Sequence, residues 1–388
     1  MKNVIVLGGG MVGSVIATDL AADADLRVTV VDNRPEALDR CAQRAKRLGL
    51  PLQVTRDDLA DPRRVHALAA GADVVCGAMA SGIALAAMGA VIDAKRPYCD
   101  ISFMPEDFLD MHDRARTASV TVVPDCGVAP GMSHALAAHC ASLLDTCTHI
   151  DIFVGGLPVE RRWPFEYKAA FSPADVIEEY TRPARLVEHG QVVTKPALSE
   201  PELIDLPGVG TLEAFNTDGL RSLTRTLRVP HMREKTLRYP GHIELMGALR
   251  HIGLFDTRPV QVGDARIVPR ELLAKLMFPH WQYQPGEADL TVMRVEARGT
   301  KAGAPTAVRC DVLDQYDHET DTTSMARTTA FPCAIVARLL LAGQIHQHGV
   351  LPPETLGTHE CFTHLMVEHA KRGVIYRFAQ FDTTAGTV

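Results

Sequence analysis

Three glycines near the N-terminus stand at a spacing that suits phosphate chemistry: Gly8, Gly10 and Gly13, in the run Gly8-Gly9-Gly10-Met11-Val12-Gly13. The aliphatic run Val4–Leu7 leads into them. Apolar residues at helical spacing (Val12, Val15, Ile16, Leu20) follow, and a second β-branched run, Arg27–Val31, ends in Asp32. Strand, glycine loop, helix, strand and acid in this order form the dinucleotide-binding pattern. Gly8 permits the tight turn out of the strand, Gly10 lets the backbone approach a pyrophosphate, and Gly13 lets the helix pack close to the strand. At Met11 and Val12 the helix N-terminus offers N–H groups and the positive dipole end to phosphate charge. Asp32 lies 19 residues after Gly13, with Asn33 beside it. A carboxylate there accepts hydrogen bonds from a ribose diol and repels a 2′-phosphate, so NAD is expected over NADP; Arg34 pulls the other way.

These residues need a frame. The pattern predicts helices over Pro35–Leu48, Asp61–Ala70, Gly82–Ala94 and Pro105–Thr117, and strands at Leu52–Val54, Ala72–Cys76, Pro97–Ile101 and Val120–Val123. Six strands alternating with helices make an α/β domain with a doubly wound parallel sheet of Rossmann type. Ligands sit at the carboxyl ends of such strands, where strand order reverses. That selects the loops 77–81, 100–104 and 125–131, with Ala78, Met79, Asp100 and Gly127 as cofactor contacts. Asp58, after the third strand, either meets the adenine or is a surface acid. Asp125 ends a strand where substrate meets the reactive end of the cofactor, and there it orients an amine or a water. Cys126 reads as a small packing residue. Val74 to Ile92 carries no charge over 19 residues, near the length that spans a bilayer. Its Ala- and Gly-rich composition favours a strand, a turn and a helix instead.

After about residue 145 the alternation stops. Ile150–Val154 reads as a strand, Arg185–Lys195 as a hairpin with His189-Gly190 at its tip, and Leu290–Arg298 with Ala307–Tyr316 as two more strands. Ser172-Pro173-Ala174-Asp175 reads as an N-cap with Pro and an acid in the first turn. Helical stretches are expected within Arg233–His251, Pro269–Met277, Ser324–Gly343, Pro352–Leu356 and His359–Lys371. A second α+β domain with a mixed or antiparallel sheet is expected over about 125–324, with residues 1–124 and about 325–388 forming the dinucleotide-binding domain.

Composition narrows the function classes. Lys plus Arg is 40 and Asp plus Glu is 47, a net charge of −7, which gives a nucleic-acid backbone nothing to grip. The nine cysteines include no C-x-x-C pair, so neither a disulfide framework nor a structural zinc site is expected. His346-x-His348 and His359 to His364 lack the spacing of metal ligands, and no metal is expected. The start MKNVIVLGGG does not read as a secretory signal, and a reducing cytoplasm is the expected setting.

Three stretches go further: Pro124–His134 (PDCGVAPGMSH), Gly155–Pro158 (GGLP) followed by Tyr167-Lys168, and Thr236–His242 (TLRYPGH). With the glycine-loop opening they resemble the glutamate-forming saccharopine dehydrogenase family over almost the whole chain. Within it, Tyr167–Gly190, Glu213–Leu220 and Thr323–Thr329 look most like the L-lysine 6-dehydrogenases. A departure is Phe165-Glu166, where that branch has smaller residues. The resemblance implies NAD-dependent oxidation of the ε-amine of L-lysine to a semialdehyde that cyclises to a piperideine, with release of ammonia. Such a pocket must hold an α-carboxylate and an α-ammonium, and must take a proton from an ε-ammonium of pKa about 10.4. By resemblance Arg238 binds the carboxylate, and Asn216 and Asp218 lie in a substrate-contacting stretch. Tyr167 and Lys168 read either as a tyrosine that bonds the amine and a buried lysine base, or as a packing tyrosine and a salt-bridged lysine. His134 and His242 suit proton shuttling or packing. Two rival readings stay open: saccharopine reductase or carboxyalkyl-polyamine dehydrogenase chemistry with NADP, and an NAD-binding sensor or assembly protein without turnover. An exposed second sheet needs cover, so a homodimer is expected, with no nucleic-acid or membrane partner.

Overall fold

A computed structural model describes residues 1–170, 173–284 and 286–383. Its contacts divide the chain into two units: Met1–His139 with Ala326–Tyr376, and Cys140–Met325 with the segment from Arg377 on.

The first unit is built on β1 (Lys2–Leu7), β2 (Leu26–Asp32), β3 (Gln53–Arg56), β4 (Val74–Gly77), β5 (Tyr98–Asp100) and β6 (Thr121–Val123). A two-residue strand, Gly349–Val350, adds a seventh, and the order is Gly349–Val350, β6, β5, β4, β1, β2, β3. Every pairing is parallel. Val4, Val6, Val28, Val30, Val74 and Val75 are buried, as expected for strands covered on both faces. The order reverses around β1, which lies between β2 and β4. The 19 uncharged residues from Val74 become β4 and the helix Ser81–Asp93, as expected. Asp61 caps the helix Pro62–Ala70 by accepting from Arg63 N at 3.0 Å. The late helices Ser324–Leu341 and Phe362–Lys371 are tied to the helix Met11–Ala21 through Asp19. Its carboxylate accepts from Arg338 Nη1 at 2.5 Å and Arg372 Nε at 2.7 Å.

The second unit carries β7 (Thr146–Pro158), β8 (Ala184–Glu188), β9 (Gln191–Lys195), β10 (Glu202–Leu206), β11 (Gly210–Asn216) and β12 (His231–Arg238). A small hairpin follows, β13 (Val260–Val262) with β14 (Ala265–Ile267), then β15 (Asp289–Lys301) and β16 (Ala304–Gln315). The main sheet runs β10, β11, β12, β7, β15, β16 and the strand Tyr376–Asp382, with β8 on β12 and β9 on β8. It is mixed: β12 pairs parallel with β7, and β15 pairs antiparallel with both β7 and β16. Tyr167, Val176, Tyr180, Phe215, Ile243, Met246 and Trp281 form an apolar core of this unit.

Several expectations need adjusting. Within Arg233–His251 the helical stretch is His242–His251, and residues 233–238 belong to strand β12. The charged side chains of β12 find partners along the sheet: Arg233 on Asp151, and Lys235 on Glu202 at 2.7 Å. Strands β10 and β11 were not expected. By contacts the first unit runs on past Pro124 to His139, because the helix Met132–Ser142 starts in it. The strand Tyr376–Asp382 joins the second sheet rather than the nucleotide-binding unit. The N-cap reading at Ser172 lies outside the described residues; Pro173 does open the helix Pro173–Thr181.

Candidate functional site

The glycine loop follows β1. Gly8 has φ +103°, and a Cβ there would lie 2.2 Å from the Ala78 carbonyl oxygen. The loop after β4 therefore presses against the glycine loop at Ala78, whose N–H donates to Leu7 O at 2.8 Å. A Cβ on Gly13 would sit 2.0 Å from Gly8 O, so helix and strand approach as closely as the motif requires. A Cβ on Gly10 would meet nothing within 4 Å. Open space beside an uncapped helix start at Met11 and Val12 is what a pyrophosphate needs. The fit to a dinucleotide is thus geometric as well as sequential.

Asp32 is buried at the end of β2. Its Oδ2 accepts from Gly9 N at 2.8 Å and Arg34 Nη2 at 3.0 Å; its Oδ1 accepts from Arg34 N at 2.9 Å and Arg34 Nε at 3.0 Å. Burial favours the neutral acid, but the Arg34 side chain and the N–H groups of Arg34 and Gly9 outweigh it. The carboxyl is held below its ordinary range. Asp32 therefore braces the glycine loop, and Arg34, 59 % exposed, pairs with the carboxylate from the solvent side. Beyond it lies a polar cleft lined by Asn33, Arg34, Glu36, Arg56, Asp57, Asp58 and Arg64. Asp57 is ion-paired with Arg64, Asn33 O accepts from Arg56 Nε at 3.2 Å, and Asp58 accepts from Ala60 N at 3.0 Å.

At the carboxyl ends of β5 and β6 two acids are buried together. Asp100 is fully buried and Asp125 nearly so, the latter at φ +49°. Asp100 Oδ1 accepts from Ser102 N at 2.9 Å; Ser102 Oγ in turn accepts from Met79 N at 3.0 Å. The Tyr98 hydroxyl is buried beside the Asp100 carboxyl. Gly77 makes room for both: a Cβ there would lie 2.1 Å from Tyr98 Oη and 2.4 Å from Asp100 Oδ1. Burial, partly offset by the Ser102 bonds and reinforced by the like charge of Asp125, pushes Asp100 up to about 7. A carboxyl poised near neutrality can both take and return a proton. Gly127 lies in the turn beyond, where its carbonyl accepts from Met132 N at 2.8 Å. Cys126 is buried and its thiol is pushed up by burial, in line with a packing role. His134 is buried beside Glu354, Nδ1 to Oε2 3.6 Å.

In the second unit the expected substrate residues separate into two groups. Arg238, Tyr167 and His242 come together. The Arg238 guanidinium stacks 4.3 Å from the Tyr167 ring centre and donates to Glu179 Oε2 at 2.6 Å, Tyr180 Oη at 3.3 Å and its neighbour Leu237 O at 2.9 Å. Its three nitrogens are all engaged, so it does not present a bare fork to a carboxylate. Glu179, 22 % exposed, is the outward member of the pair. Burial raises its carboxyl although Arg238 opposes the shift. His242 Nδ1 faces Phe165 O at 2.7 Å and Nε2 faces Tyr180 Oη at 2.9 Å. With a carbonyl at Nδ1, the proton sits there and Nε2 accepts from the tyrosine. Burial and the nearby Arg238 bring this imidazole down to about 3, so it is a neutral strut rather than a proton shuttle.

Lys168, Asn216 and Asp218 lie in other pairings. Lys168 Nζ is ion-paired with Glu287 and donates to Gln282 O at 3.1 Å, the salt-bridged alternative. Asn216 Nδ2 donates to Ser199 Oγ at 3.1 Å and Glu200 Oε2 at 2.9 Å. Asp218 accepts from Arg185 N at 3.1 Å, Nε at 2.8 Å and Nη2 at 2.9 Å. Asn216 Oδ1, Trp281 Nε1 and Tyr283 Oη are buried with no partner among the described residues. Such orphans mark places that water or a ligand completes. Sequence reasoning missed Glu179, Tyr180, Trp281 and Glu287. The acidic Glu178-Glu179 pair on the helix after Pro173 was the available signal.

Comparison with known proteins agrees with this arrangement. Residues 4–123 match the domain family described as "Saccharopine dehydrogenase NADP binding domain", and residues 127–374 match "Saccharopine dehydrogenase C-terminal domain". Bos taurus mitochondrial alpha-aminoadipic semialdehyde synthase is 21 % identical over 91 % of this chain, which spans 45 % of that longer protein. The NADP(+), L-glutamate-forming saccharopine dehydrogenase of Saccharomyces cerevisiae is 23 % identical over 91 % of this chain and 94 % of its own length. The structure of the apo, histidine-tagged L-Glu-forming enzyme from the same yeast superposes over 98 % of this chain and 100 % of that one. Its TM-score is 0.81 at 19 % identity, a likeness of fold.

Proposed function

The chain belongs to the saccharopine dehydrogenase family, and from that premise we propose that it is an oxidoreductase that breaks a C–N bond of an amino acid's side-chain amine, with the ε-amine of L-lysine as substrate. The observation that carries the reading is the buried Asp100, poised near neutrality beside Asp125 at the carboxyl ends of the sheet that holds the glycine loop. Only a neutral amine expels hydride, and an ε-ammonium must first lose a proton to a base. Asp100 takes that proton; burial raises its affinity, and the like charge of Asp125 adds to the effect. A bound nicotinamide supplies the hydride acceptor. Water then adds to the oxidised carbon and ammonia leaves.

The second unit supports this substrate class. Arg238 fixes Glu179, and Glu179 offers a partly exposed carboxylate to an ammonium. Arg161 pairs with Glu166 and Arg185 with Asp218. A substrate with two ammonium groups and one carboxylate suits acids held in this way better than one rich in carboxylates, because the neighbouring arginines already have carboxylate partners. For the cofactor the charge favours NAD, although the matched domain's name carries NADP. In the cleft after β3, Arg34, Arg56 and Arg64 are offset by Glu36, Asp57, Asp58 and the adjoining Asp32. A 2′-phosphate would have to sit beside a buried, ionised Asp32.

The test is reduction of NAD or NADP by purified protein at mildly alkaline pH, with L-lysine, L-ornithine and saccharopine in parallel. Turnover with lysine and NAD supports the proposal. Turnover with saccharopine alone keeps the family and overturns the substrate. Nucleotide binding without turnover on any of them overturns the enzymatic reading.

A further inference from the structure

Three cysteines that no sequence spacing links meet inside the first unit. Cys76 on β4 and Cys99 on β5 are register partners on neighbouring parallel strands, so they share a face. Cys333, on the helix Ser324–Leu341, packs against that face. Cys99 Sγ lies 3.6 Å from Cys76 Sγ and 3.5 Å from Cys333 Sγ, and all three sulfurs fall within 4.8 Å of one another. All three residues are fully buried. We propose that these three thiols form a binding site for a soft monovalent metal ion, copper(I), held in three-coordinate all-sulfur geometry.

The geometry fits. At a metal–sulfur distance of about 2.3 Å, three thiolates around one ion in a plane stand about 4.0 Å apart. The two short edges need to open by about half an ångström, within side-chain adjustment and without moving a strand. The donor set fits as well. Sulfur-only sites select soft ions, whereas magnesium, calcium and manganese want oxygen. Zinc prefers a fourth ligand. Among the described residues the clustered donors are these three alone. On binding, up to three S–H protons pass to solvent and three copper–sulfur bonds form, with no change of oxidation state. Because the site is sealed, the ion enters while the helix is open, so loading is faster during refolding than on the folded protein.

The experiment uses the reduced full chain under anaerobic conditions, refolded with copper(I) against a chromogenic copper(I) chelator. The same is done with zinc(II) alone. The expected result is one copper per chain, ultraviolet thiolate–copper absorption, and a higher melting temperature for the loaded protein. Cys99→Ala should weaken retention at least about 100-fold, while Cys140→Ala, buried outside the trio, should leave it unchanged. Should Cys99→Ala fail to fold, as judged by circular dichroism, Cys333→Ala serves in its place, and the wild-type absorption stands on its own. No copper retained against the chelator, equal loss in Cys140→Ala, or retention of zinc but not copper would each overturn the assignment.

Discussion

Replacing Asp100 by Asn removes the charge and keeps the shape. The amide oxygen can still accept from Ser102 N, so the loop that carries Met79 is not released. Asp100 is raised from 3.8 in the unfolded chain to about 7 in the folded one. Below pH 4 both states hold the proton, and Asp100 carries no penalty. As pH rises from about 4 to about 7 the unfolded chain ionises first, and stability falls; above about 7 the loss is constant. Three units at about 1.4 kcal/mol each put that loss near 4 kcal/mol at pH 8, an upper figure that water penetration reduces to about 2–4 kcal/mol. Asp100→Asn should therefore be more stable than wild type at pH 8 by that amount and equal to it at pH 4. Its stability should also lose most of the slope between those limits. Urea unfolding followed by circular dichroism at pH 4.5, 6, 7 and 8.5 measures this directly. Turnover should fall at least about 100-fold as the base is lost, with nucleotide binding retained. A variant less stable than wild type at pH 8, or with the wild-type slope intact, would refute the account of Asp100 as a strained buried acid.

Gly13→Ala and Gly10→Ala should separate folding from binding. The first drives a Cβ to 2.0 Å from Gly8 O and should cost about 2 kcal/mol or more, while the second meets open space and should fold normally yet bind nucleotide poorly. Differential scanning fluorimetry with and without NAD reads both. Arg34→Ala uncovers Asp32 and should shift preference further toward NAD, seen as a larger ratio of the NADP KM to the NAD KM; an unchanged ratio would count against a role for this pair. Arg238→Met leaves the partly exposed Glu179 without its cation and should cost about 1–3 kcal/mol, part of it recovered by adding Glu179→Met. Urea midpoints for the two single variants and the double variant check the coupling.

The nucleotide-binding sheet was legible because its strands are short aliphatic runs punctuated by glycines, and each run is followed by a helix of clear period. Its seventh strand was not: Gly349–Val350 is two residues long, and only its pairing with Thr121 and Val122 makes it a strand. In the second unit, the strand at Arg233–Arg238 was hidden because five of its six residues are polar. Only the neighbouring strands reveal that these charges are paired across a sheet. The site followed the same division. Gly8 and Gly13 act locally, and the tight turn and close packing they allow could be read from spacing, whereas the bond from Gly9 N to Asp32 could not. Arg238 was placed by resemblance, but its partner Glu179 sits 59 residues earlier on a helix, a distance no pattern spans. Lys168 was offered as base or ion pair, and Glu287 decides for the pair. The meeting of Cys76, Cys99 and Cys333 depends on two strand positions 23 residues apart and a helix position 234 residues further on, which is why spacing rules for metal ligands passed it by.

Neither unit is a continuous stretch of chain. The first is interrupted between His139 and Ala326, and the second takes its last strand from beyond residue 376. During synthesis, the segment carrying the glycine loop emerges first and then waits. Thr121 cannot reach the Gln347 carbonyl that it bonds at 2.7 Å until 226 further residues have been made, and Asp19 must wait longer still for Arg372. The nascent N-terminal sheet thus spends most of translation with an unpaired edge at β6, the kind of edge that recruits foreign strands. Completion of the fold is a late event, set by release of the final helices rather than by the order in which the sheet was written.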